Sequence, residues 1–465
     1  MMSQSKMHFE ISERKAILHL FDAIFVILAI YVVGESFDVI YFKEILSSNV
    51  CWILLVFYLN VFGIVFEMYN IQTASNEFQI LKSTLLCVSS TVLVYLLTPL
   101  FSPVLPSNRL QILLFYSVFL AVLLSWRLFY VKFLASTRFS QNALLVCSEG
   151  QVEELIQGLE NIDPHYKIVA FVATDHEDIV ITNKHPYIKQ IAEKELVEYV
   201  TRQGISEIVV ASQITNGIAP ELYHQLIKVL EAGKVIREYT QVYESKTHRI
   251  PVHHMSTDFY RFFPFSRSNH NKLYLFVVRI IELIIATLGL GLVVVLLPFI
   301  LIGNAIGNNG NLWYNQERIG KDGRPFKILK LRTMVKNAET KGAVFATLND
   351  SRITAFGKFL RKTRIDELPQ FVNVLKGEMA IIGPRPERTE FVELIAKNMP
   401  FYETRHIIKP GLTGWAQVNY SYGENIEDSL IKLQYDLYYI KHRSFFLDLN
   451  ITFKTITTVL FYRGQ

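Results

Sequence analysis

Charge is scarce in this chain. Its 465 residues include 19% Asp, Glu, Lys and Arg, where soluble domains carry roughly 25%. Hydrophobic residues make up 51% and aromatic residues 13%, with a mean hydropathy of +0.25. That excludes a disordered chain and argues against an ordinary soluble enzyme. Cysteine is nearly missing: Cys51, Cys87 and Cys147 are the three present, and no two form a CxxC pair. A disulfide framework and a cysteine-spaced zinc site are thereby excluded, and a reducing compartment is the simpler setting. The length corresponds to about three ordinary domains.

The apolar excess is local. Four runs precede residue 136, at Ala16–Val33, Val50–Tyr69, Ser83–Phe101 and Leu110–Ala135. Each has about 18 residues or more, enough to cross a hydrocarbon core of ~30 Å. The first lacks a small-residue cleavage site and further runs follow it, so a signal peptide is not expected. Lys6, Arg14 and Lys15 precede the first run, and Arg127, Lys132 and Arg138 cluster at the end of the fourth. Basic residues favour the cytoplasmic side, so the N-terminus and the segment from Arg138 to about His270 are expected there.

A fifth apolar stretch, Leu273–Ile302, is also long enough to span. Pro298 lies inside it, where the missing N–H interrupts helical bonding. Both flanks are basic: Arg261, Arg267 and Lys272 before it, Arg318, Lys321 and Arg324 after it. A helix that enters one leaflet, breaks at Pro298 and returns satisfies both flanks, and a full crossing is the alternative. Arg279 and Glu282, at i,i+3 spacing, are placed to pair near the entry.

Between residues 142 and 250 strand-like and helix-like patterns alternate. Asn142–Cys147, Lys167–Ala173 and Glu207–Ala211 read as strands; Val152–Leu159, Ile188–Gln203 and Pro220–Ala232 read as helices. The alternation predicts a parallel, Rossmann-like α/β sheet. The turn after the first strand is Ser148-Glu149-Gly150. A dinucleotide fingerprint needs GxGxxG there, and Glu149 repels phosphate, so no working dinucleotide site is expected. His248, His253, His254 and His270 follow, but no carboxylate stands at a sensible ligand spacing, and solvated or interfacial histidines are the expectation.

The chemistry is expected after residue 311. Residues 311–465 hold 24 Lys plus Arg and 16 Asp plus Glu, an excess of +8 that leaves the rest of the chain net negative by three. This local excess suits an anionic membrane surface and an anionic substrate better than nucleic acid. Arg352, Lys358, Arg361, Lys362 and Arg364 fall in one window with no acid, and Ile353, Phe356, Phe359 and Leu360 recur near helical spacing, as in an amphipathic interfacial helix. Asp366-Glu367-Leu368-Pro369 follows. Pro369 suits the first turn of a helix closed by Gly377, with the two acids at its N-terminus. The same pair can do chemistry, one carboxylate attacking phosphorus and its neighbour holding Mg²⁺. Lys327, Lys330 and Arg332 lie on a strand-like run, and Gly383-Pro384-Arg385-Pro386 and Lys409-Pro410-Gly411 are rigid turns. Lys330 and Arg332 are assigned to phosphates from their charge and position.

The texts YNQERIGKDGRPFKILKLRTM, RITAFGKFLRKTRIDELPQFVNVLKGEMAIIGPRPE and IIKPGLTGWAQV closely resemble the bacterial sugar transferases, also called polyisoprenyl-phosphate hexose-1-phosphate transferases or monotopic phosphoglycosyl transferases. The resemblance covers about a third of the chain, with motif order kept, and the layout is similar to that of the large members. It implies transfer of a sugar 1-phosphate from a UDP-sugar to undecaprenyl phosphate with release of UMP, as the first membrane step of surface polysaccharide synthesis. It implies Asp366 as nucleophile forming a covalent aspartyl-phosphosugar, Glu367 as metal carrier beside Asp366, Arg361 as a phosphate binder and Arg385 near the nucleotide. The family's re-entrant helix commonly breaks at Ser-Pro, whereas Leu297 precedes Pro298 here.

The expected architecture is membrane α plus α/β: a four-helix transmembrane bundle (1–138), a Rossmann-like cytoplasmic domain (139–255), a linker (256–272), a re-entrant helix (273–303) and a small α+β catalytic domain (304–465). The expected setting is the bacterial inner membrane, with the catalytic domain on the cytoplasmic side. Expected partners are UDP-sugar, undecaprenyl phosphate, inner-membrane lipids and a second copy in a homodimer, with no nucleic acid. Competing readings are a membrane-anchored NAD-dependent nucleotide-sugar dehydratase or epimerase, and a non-catalytic assembly scaffold.

Overall fold

A computed structural model of the chain describes residues 11–69, 77–99, 101–106, 108–134, 141–148, 151–160, 166–174, 188–211, 219–252, 267–308, 310–335, 350–399, 401–420 and 426–460. Packing divides the chain into two units, Met1–Thr247 and His248–Gln465.

The first unit begins with five helices: α1 (Ile11–Ser36), α2 (Ile40–Ser47), α3 (Asn49–Val65), α4 (Glu77–Leu96) and α5 (Leu110–Phe129). Two meet the length and apolarity of a crossing without interruption, over Lys15–Ser36 and, with a following π-type turn, Leu110–Phe133. The other two expected spans come out differently. α2 and α3 meet at an angle of 95°, with Ser48 extended between them. α3 alone has 17 residues, about 25 Å of rise, short of a full crossing. The apolar part of α4, Ile80–Leu96, is short in the same way. The four expected spans are thus two unbroken helices, one bent pair and one shorter helix.

These helices share one core, in which Phe42, Leu55, Leu59, Cys87, Phe115 and Leu123 are among the fully buried residues. Within it Arg127 of α5 pairs with Asp22 of α1, neither exposed at all. Arg127 also donates to the Met68 carbonyl at 3.2 Å and lies 5.1 Å from the centre of the Tyr69 ring, on which His19 stacks at 3.5 Å. The sequence reading counted Arg127 among interfacial cations. It is instead an internal crosslink, because a charge inside an apolar bundle survives only when paired.

The second half of this unit is a five-stranded parallel sheet in the order β3-β2-β1-β4-β5. Its strands are β1 (Gln141–Cys147), β2 (Tyr166–Ala173), β3 (Lys189–Gln190), β4 (Glu207–Val210) and β5 (Val235–Glu238). The helices are α6 (Val152–Glu160), α7 (Leu196–Gln203), α8 (Pro220–Glu231) and α9 (Tyr239–Thr247). Ala143, Leu145 and Cys147 face one core, and Leu144 and Val146 the other. Burial on both faces explains why β1 reads as a continuous apolar run. The order reverses between β1 and β4, the switch point of a doubly wound sheet. Glu149 and Gly150 of the turn after β1, like His253 and His254, lie outside the described residues.

The second unit starts earlier than the predicted boundary at residue 255. Ile250 and Val252 are buried in its core, and the Ile250 amide donates to the Gln434 carbonyl at 3.1 Å. Its longest helix, α10 (Lys272–Gly307), runs unbroken for 36 residues, Pro298 included. The sequence reading put a break at Pro298. One absent N–H is tolerated because packing holds the helix on both sides of it. Glu282, Ala286, Val293, Ile300 and Asn304 form the single buried stripe. Leu273, Leu288, Val294, Val295, Phe299 and Ile306 are at least 68% exposed. This apolar surface, outside the stripe, is that of a helix solvated by lipid on most of its circumference.

The stripe lies on the same unit along its whole length. Arg279 pairs with Glu282 at 3.3 Å, as the spacing predicted, and donates to the carbonyls of Val374 (2.8 Å) and Leu375 (2.9 Å). A side chain at Gly289 would strike the Phe371 ring, and one at Gly303 would strike Phe356. The remaining elements are a hairpin of β6 (Trp313–Ile319) and β7 (Pro325–Leu331), α11 (Ala355–Lys362), α12 (Phe371–Lys376), a parallel pair of β8 (Ala380–Ile382) and β9 (Gly411–Thr413), α13 (Thr389–Asn398), α14 (Trp415–Asn419), α15 (Ile426–His442) and α16 (Phe445–Leu460).

Arg127→Met leaves Asp22 buried and unpaired. A loss of about 3–5 kcal/mol is expected, read as a lowered Tm of the detergent-solubilised protein; an unchanged Tm would show that the pair is not a crosslink.

Candidate active site

The acidic pair stands on a tight turn. Ile365–Gln370 forms a 3₁₀ turn that leads into α12, and Gly377 ends α12 at φ +81°. Helical winding thus begins four residues before Pro369, while the glycine stop falls where expected. Arg364, just before the pair, has φ +59°, a left-handed conformation costly for a side-chain-bearing residue. This reversal separates α11 from the turn and aims the two carboxylates at β7.

Asn373 on α12 sets the register of that approach. Its side chain accepts from the Leu329 amide (3.1 Å) and donates to the Lys327 carbonyl (2.8 Å), clamping β7 one residue from Lys330. The Lys330 ammonium then reaches Glu367 Oε1 at 3.1 Å. Arg385 reaches the same oxygen at 3.1 Å, and Arg364 reaches Oε2 at 3.4 Å. Glu367 therefore receives three cations.

Asp366 is 6% exposed, and among the described residues its Oδ1 has no hydrogen-bond partner. Arg361 approaches from α11, its Nε donating to Thr333 Oγ1 at 2.9 Å. Thr354 caps α11 by accepting from the Gly357 amide at 2.9 Å, and Gly357 sits so close to the Thr333 backbone that no side chain fits. Without that approach Arg361 could not reach the β7 end.

The two carboxylates are pushed in opposite directions. Burial, reinforced by the neighbouring Glu367 charge, raises Asp366 to about 6, with Lys330, Arg361 and Arg364 opposing. Burial acts to raise Glu367 too, but Lys330, Arg385 and Arg364 outweigh it and hold it below the ordinary carboxylate range. Divergent shifts in adjacent acids mark a site with two roles.

Other predicted residues fare differently. Arg332 ties the hairpin to α10 through its backbone, accepting from Asn308 at 2.8 Å, and among the described residues its side chain makes no bond to the acidic pair. Within the basic window, Arg352 is held by Asp350, with bonds of 2.5–3.0 Å. Lys358 and Lys362 are exposed. Pro298 lies on α10 between Leu296 and Ile300, which pack in one cluster with Leu360 and Ile365, the residue before the acidic pair.

Some functional groups escaped the sequence reading. The turn bearing Arg385 is held on every side: Gly383 N donates to Thr413 O (2.9 Å), Gly411 N to Pro384 O (2.9 Å), Arg318 to Pro386 O (3.2 Å), and Arg405 to the Arg385 carbonyl itself (2.9 Å). Arg405 is 5% exposed and pairs with Asp436 at 2.7 Å and Tyr402 at 2.6 Å. The available signal was Asp436, a lone charge on the apolar stripe Leu433, Leu437, Ile440 of α15.

A metal at this site would have two protein carboxylates, one with an unpartnered buried oxygen. Among the described residues no group of three or more His, Cys, Asp or Glu could hold an ion. That donor set fits Mg²⁺, which is commonly held by one or two carboxylates plus substrate phosphates.

Residues 273–462 match the model of the bacterial sugar transferases, and residues 65–218 match that of a CoA-binding domain. The chain is 38% identical over 254 residues to the UDP-N-acetylgalactosamine-undecaprenyl-phosphate N-acetylgalactosaminephosphotransferase of Aeromonas hydrophila, covering 55% of this chain and 59% of that protein. It is 40% identical over 177 residues to the UDP-glucose:undecaprenyl-phosphate glucose-1-phosphate transferase of Escherichia coli, covering 38% of each. The transferase of the same name from Caulobacter vibrioides is 36% identical over 184 residues, 39% of this chain and 69% of that protein. The matched part thus spans three-fifths or less of the first two relatives.

The raised Asp366 has a consequence for stability. Its carboxyl binds a proton more tightly folded than unfolded, so its contribution is fully present below about pH 4 and is lost as pH rises through about 6. Asp366→Asn is expected to be more stable than wild type at pH 8, by about 2–3 kcal/mol, with the difference closing near pH 4. Parallel Tm curves across that range would contradict the raised value.

Proposed function

This chain belongs to the bacterial sugar transferase family, and from that premise we propose that it moves a sugar 1-phosphate from a UDP-sugar to undecaprenyl phosphate. The observation that carries the reading is Asp366: buried, with one oxygen unpartnered, beside a Glu367 whose charge three cations balance.

The first step forms a bond between an Asp366 oxygen and the phosphorus attached to the sugar. The bond from that phosphorus to the oxygen of UMP breaks, and UMP leaves with the electron pair. In the second step an oxygen of undecaprenyl phosphate attacks the same phosphorus and expels the Asp366 carboxylate. Splitting one displacement into two is nucleophilic catalysis. The raised Asp366 value supports this role, because the carboxylate is more basic than usual yet still mostly ionised above neutrality. Glu367 and Asp366 would hold Mg²⁺, which supplies charge neutralisation for a diphosphate. Lys330 and Arg385 touch Glu367, the Arg361 charge acts on Asp366, and these three would receive phosphate oxygens as charge develops. Arg405 and Asp436 hold the turn that carries Arg385.

The membrane arrangement follows the same logic. A helix crossing the bilayer carries one end away from a domain on either face. α10 instead packs on its own unit from Arg279 to Gly303, about 36 Å of helix. That supports an unbroken helix resting in one leaflet with the site at the surface, where a lipid phosphate and a water-soluble UDP-sugar both reach it. The cytoplasmic face of the bacterial inner membrane is the side where nucleotide sugars are available.

The test is UMP release by the full chain in bilayers, given Mg²⁺, undecaprenyl phosphate and a panel of UDP-sugars. One donor is expected to give UMP with wild type, and Asp366→Asn to give none. Full activity in Asp366→Asn overturns the reading. With the active donor, kcat/KM is expected to fall on the acid side, since protonated Asp366 cannot attack; a rate that acid does not lower argues against Asp366 as the nucleophile.

A further inference from the structure

A second cationic cluster lies apart from the acidic pair, around the turn after α12. Gly377 adopts φ +81° there, and the space a side chain would fill is bordered by Lys409 Nζ at 3.5 Å and Arg279 Nη2 at 3.7 Å. Arg279 is fixed: its guanidinium satisfies the last carbonyls of α12 and pairs with Glu282. Lys409 has no such partner. Among the described residues its ammonium makes neither an ion pair nor a hydrogen bond, although it is half-buried.

Its surroundings make that costly. Burial lowers the Lys409 pKa, and the nearby charges of Arg279, Lys321 and Arg443 lower it further. Glu282 opposes them, but both its oxygens are taken, one by Arg279 and the other by the Ile381 amide at 3.3 Å. A half-buried ammonium beside Arg279, with no acid bonded to it among the described residues, has room for an anion.

The place in the fold says which anion. Arg279 lies two turns into α10, and the flanking Leu273 and Phe276 are exposed. Arg443 lies over the rings of Tyr274 on α10 and Tyr439 on α15, both of which donate to Asp448 of α16. Phe445 and Phe446, two and three residues after Arg443, are 53% and 81% exposed. Cations ringed by exposed apolar side chains at a helix entry match the depth of lipid headgroups.

We propose that Lys409, Arg279 and the Gly377 turn form a binding site for the phosphate of an anionic phospholipid headgroup, separate from the acidic pair. Lys330, Arg361, Arg364 and Arg385 serve the pair; Lys409 belongs to the other set. Gly377 matters because its missing side chain leaves the two nitrogens accessible from one space.

The test measures retained lipid, so its outcome stands whether or not the transferase reading does. The full chain is released from nanodiscs of mixed phosphatidylglycerol and phosphatidylcholine and weighed by native mass spectrometry. Wild type is expected to retain phosphatidylglycerol preferentially, and Lys409→Gln to lower the retained ratio about fivefold, the contribution of one lysine at an anionic surface. Lys409→Arg restores the ratio, and Lys397→Gln, an exposed cation on α13, leaves it unchanged. Equal retention of the two lipids by wild type overturns the site, and this readout needs no variant to fold. An equal loss in Lys397→Gln reduces the effect to net charge and overturns it too. Competitive displacement by added undecaprenyl phosphate would reassign the cluster to the lipid substrate.

Discussion

Glu367 is largely withdrawn from water, and a carboxylate so placed keeps its charge only if its neighbours make ionisation favourable. Lys330, Arg385 and Arg364 do so, and each comes from a different element: a strand, a proline-bounded turn and a left-handed residue before the 3₁₀ turn. Much of the second unit can be traced from that convergence. Asn373 clamps β7 so that Lys330 arrives. Arg405, itself bonded to Asp436, donates to the Arg385 carbonyl. Gly357 lets α11 approach Thr333 and brings Arg361 alongside. With Glu367 neutralised, Asp366 is the carboxylate that remains under strain, raised by burial and short of a partner. Such an acid destabilises the fold and is useful to chemistry, a common trade at active sites.

α10 is the second organising element. Its buried stripe and the adjoining Arg279 carry two kinds of contact. Ala286, Val293 and Ile300 give apolar packing, while Arg279, Glu282 and Asn304 make polar bonds to the backbone of the unit they rest on. The polar contacts satisfy groups that lipid could not. Among the described residues Leu273, Leu288, Val294, Val295, Phe299 and Ile306 of the helix stay exposed, an apolar surface that water would solvate poorly. One helix thereby joins a water-facing site to an apolar phase. The buried Asp22–Arg127 pair does related work in the first unit, where it crosslinks α1 and α5 through an otherwise apolar core.

Much of this was legible in the sequence where the signal is local. The alternating strands and helices between 142 and 250 appear as a parallel sheet, because β1 repeats apolar residues on both faces. The i,i+3 spacing of Arg279 and Glu282 became a contact. Gly377 ended its helix. Errors arose where a charge's surroundings decide its role. Arg127 read as interfacial but is internal, because Asp22 lies 105 residues away. Arg332 read as part of the strand-like run of Lys330, but β7 ends at Leu331, and among the described residues the Arg332 side chain makes no bond to the acidic pair. Arg405 drew no attention, since its partners Asp436 and Arg385 are 31 and 20 residues distant.

Composition and spacing by themselves determined that the chain has membrane-length apolar helices, a parallel α/β part and a basic segment with an acidic pair. These follow from hydrophobic periodicity and from residue types that act over a few positions. The family resemblance was likewise carried by contiguous motifs. Tertiary structure decided which cations meet Glu367, which carboxylate stays unpartnered, that α2 and α3 meet at 95°, and that Lys409 faces other cations across a glycine turn. The physical reason is that desolvation and Coulomb energy depend on separations in space, and chain distance does not report them.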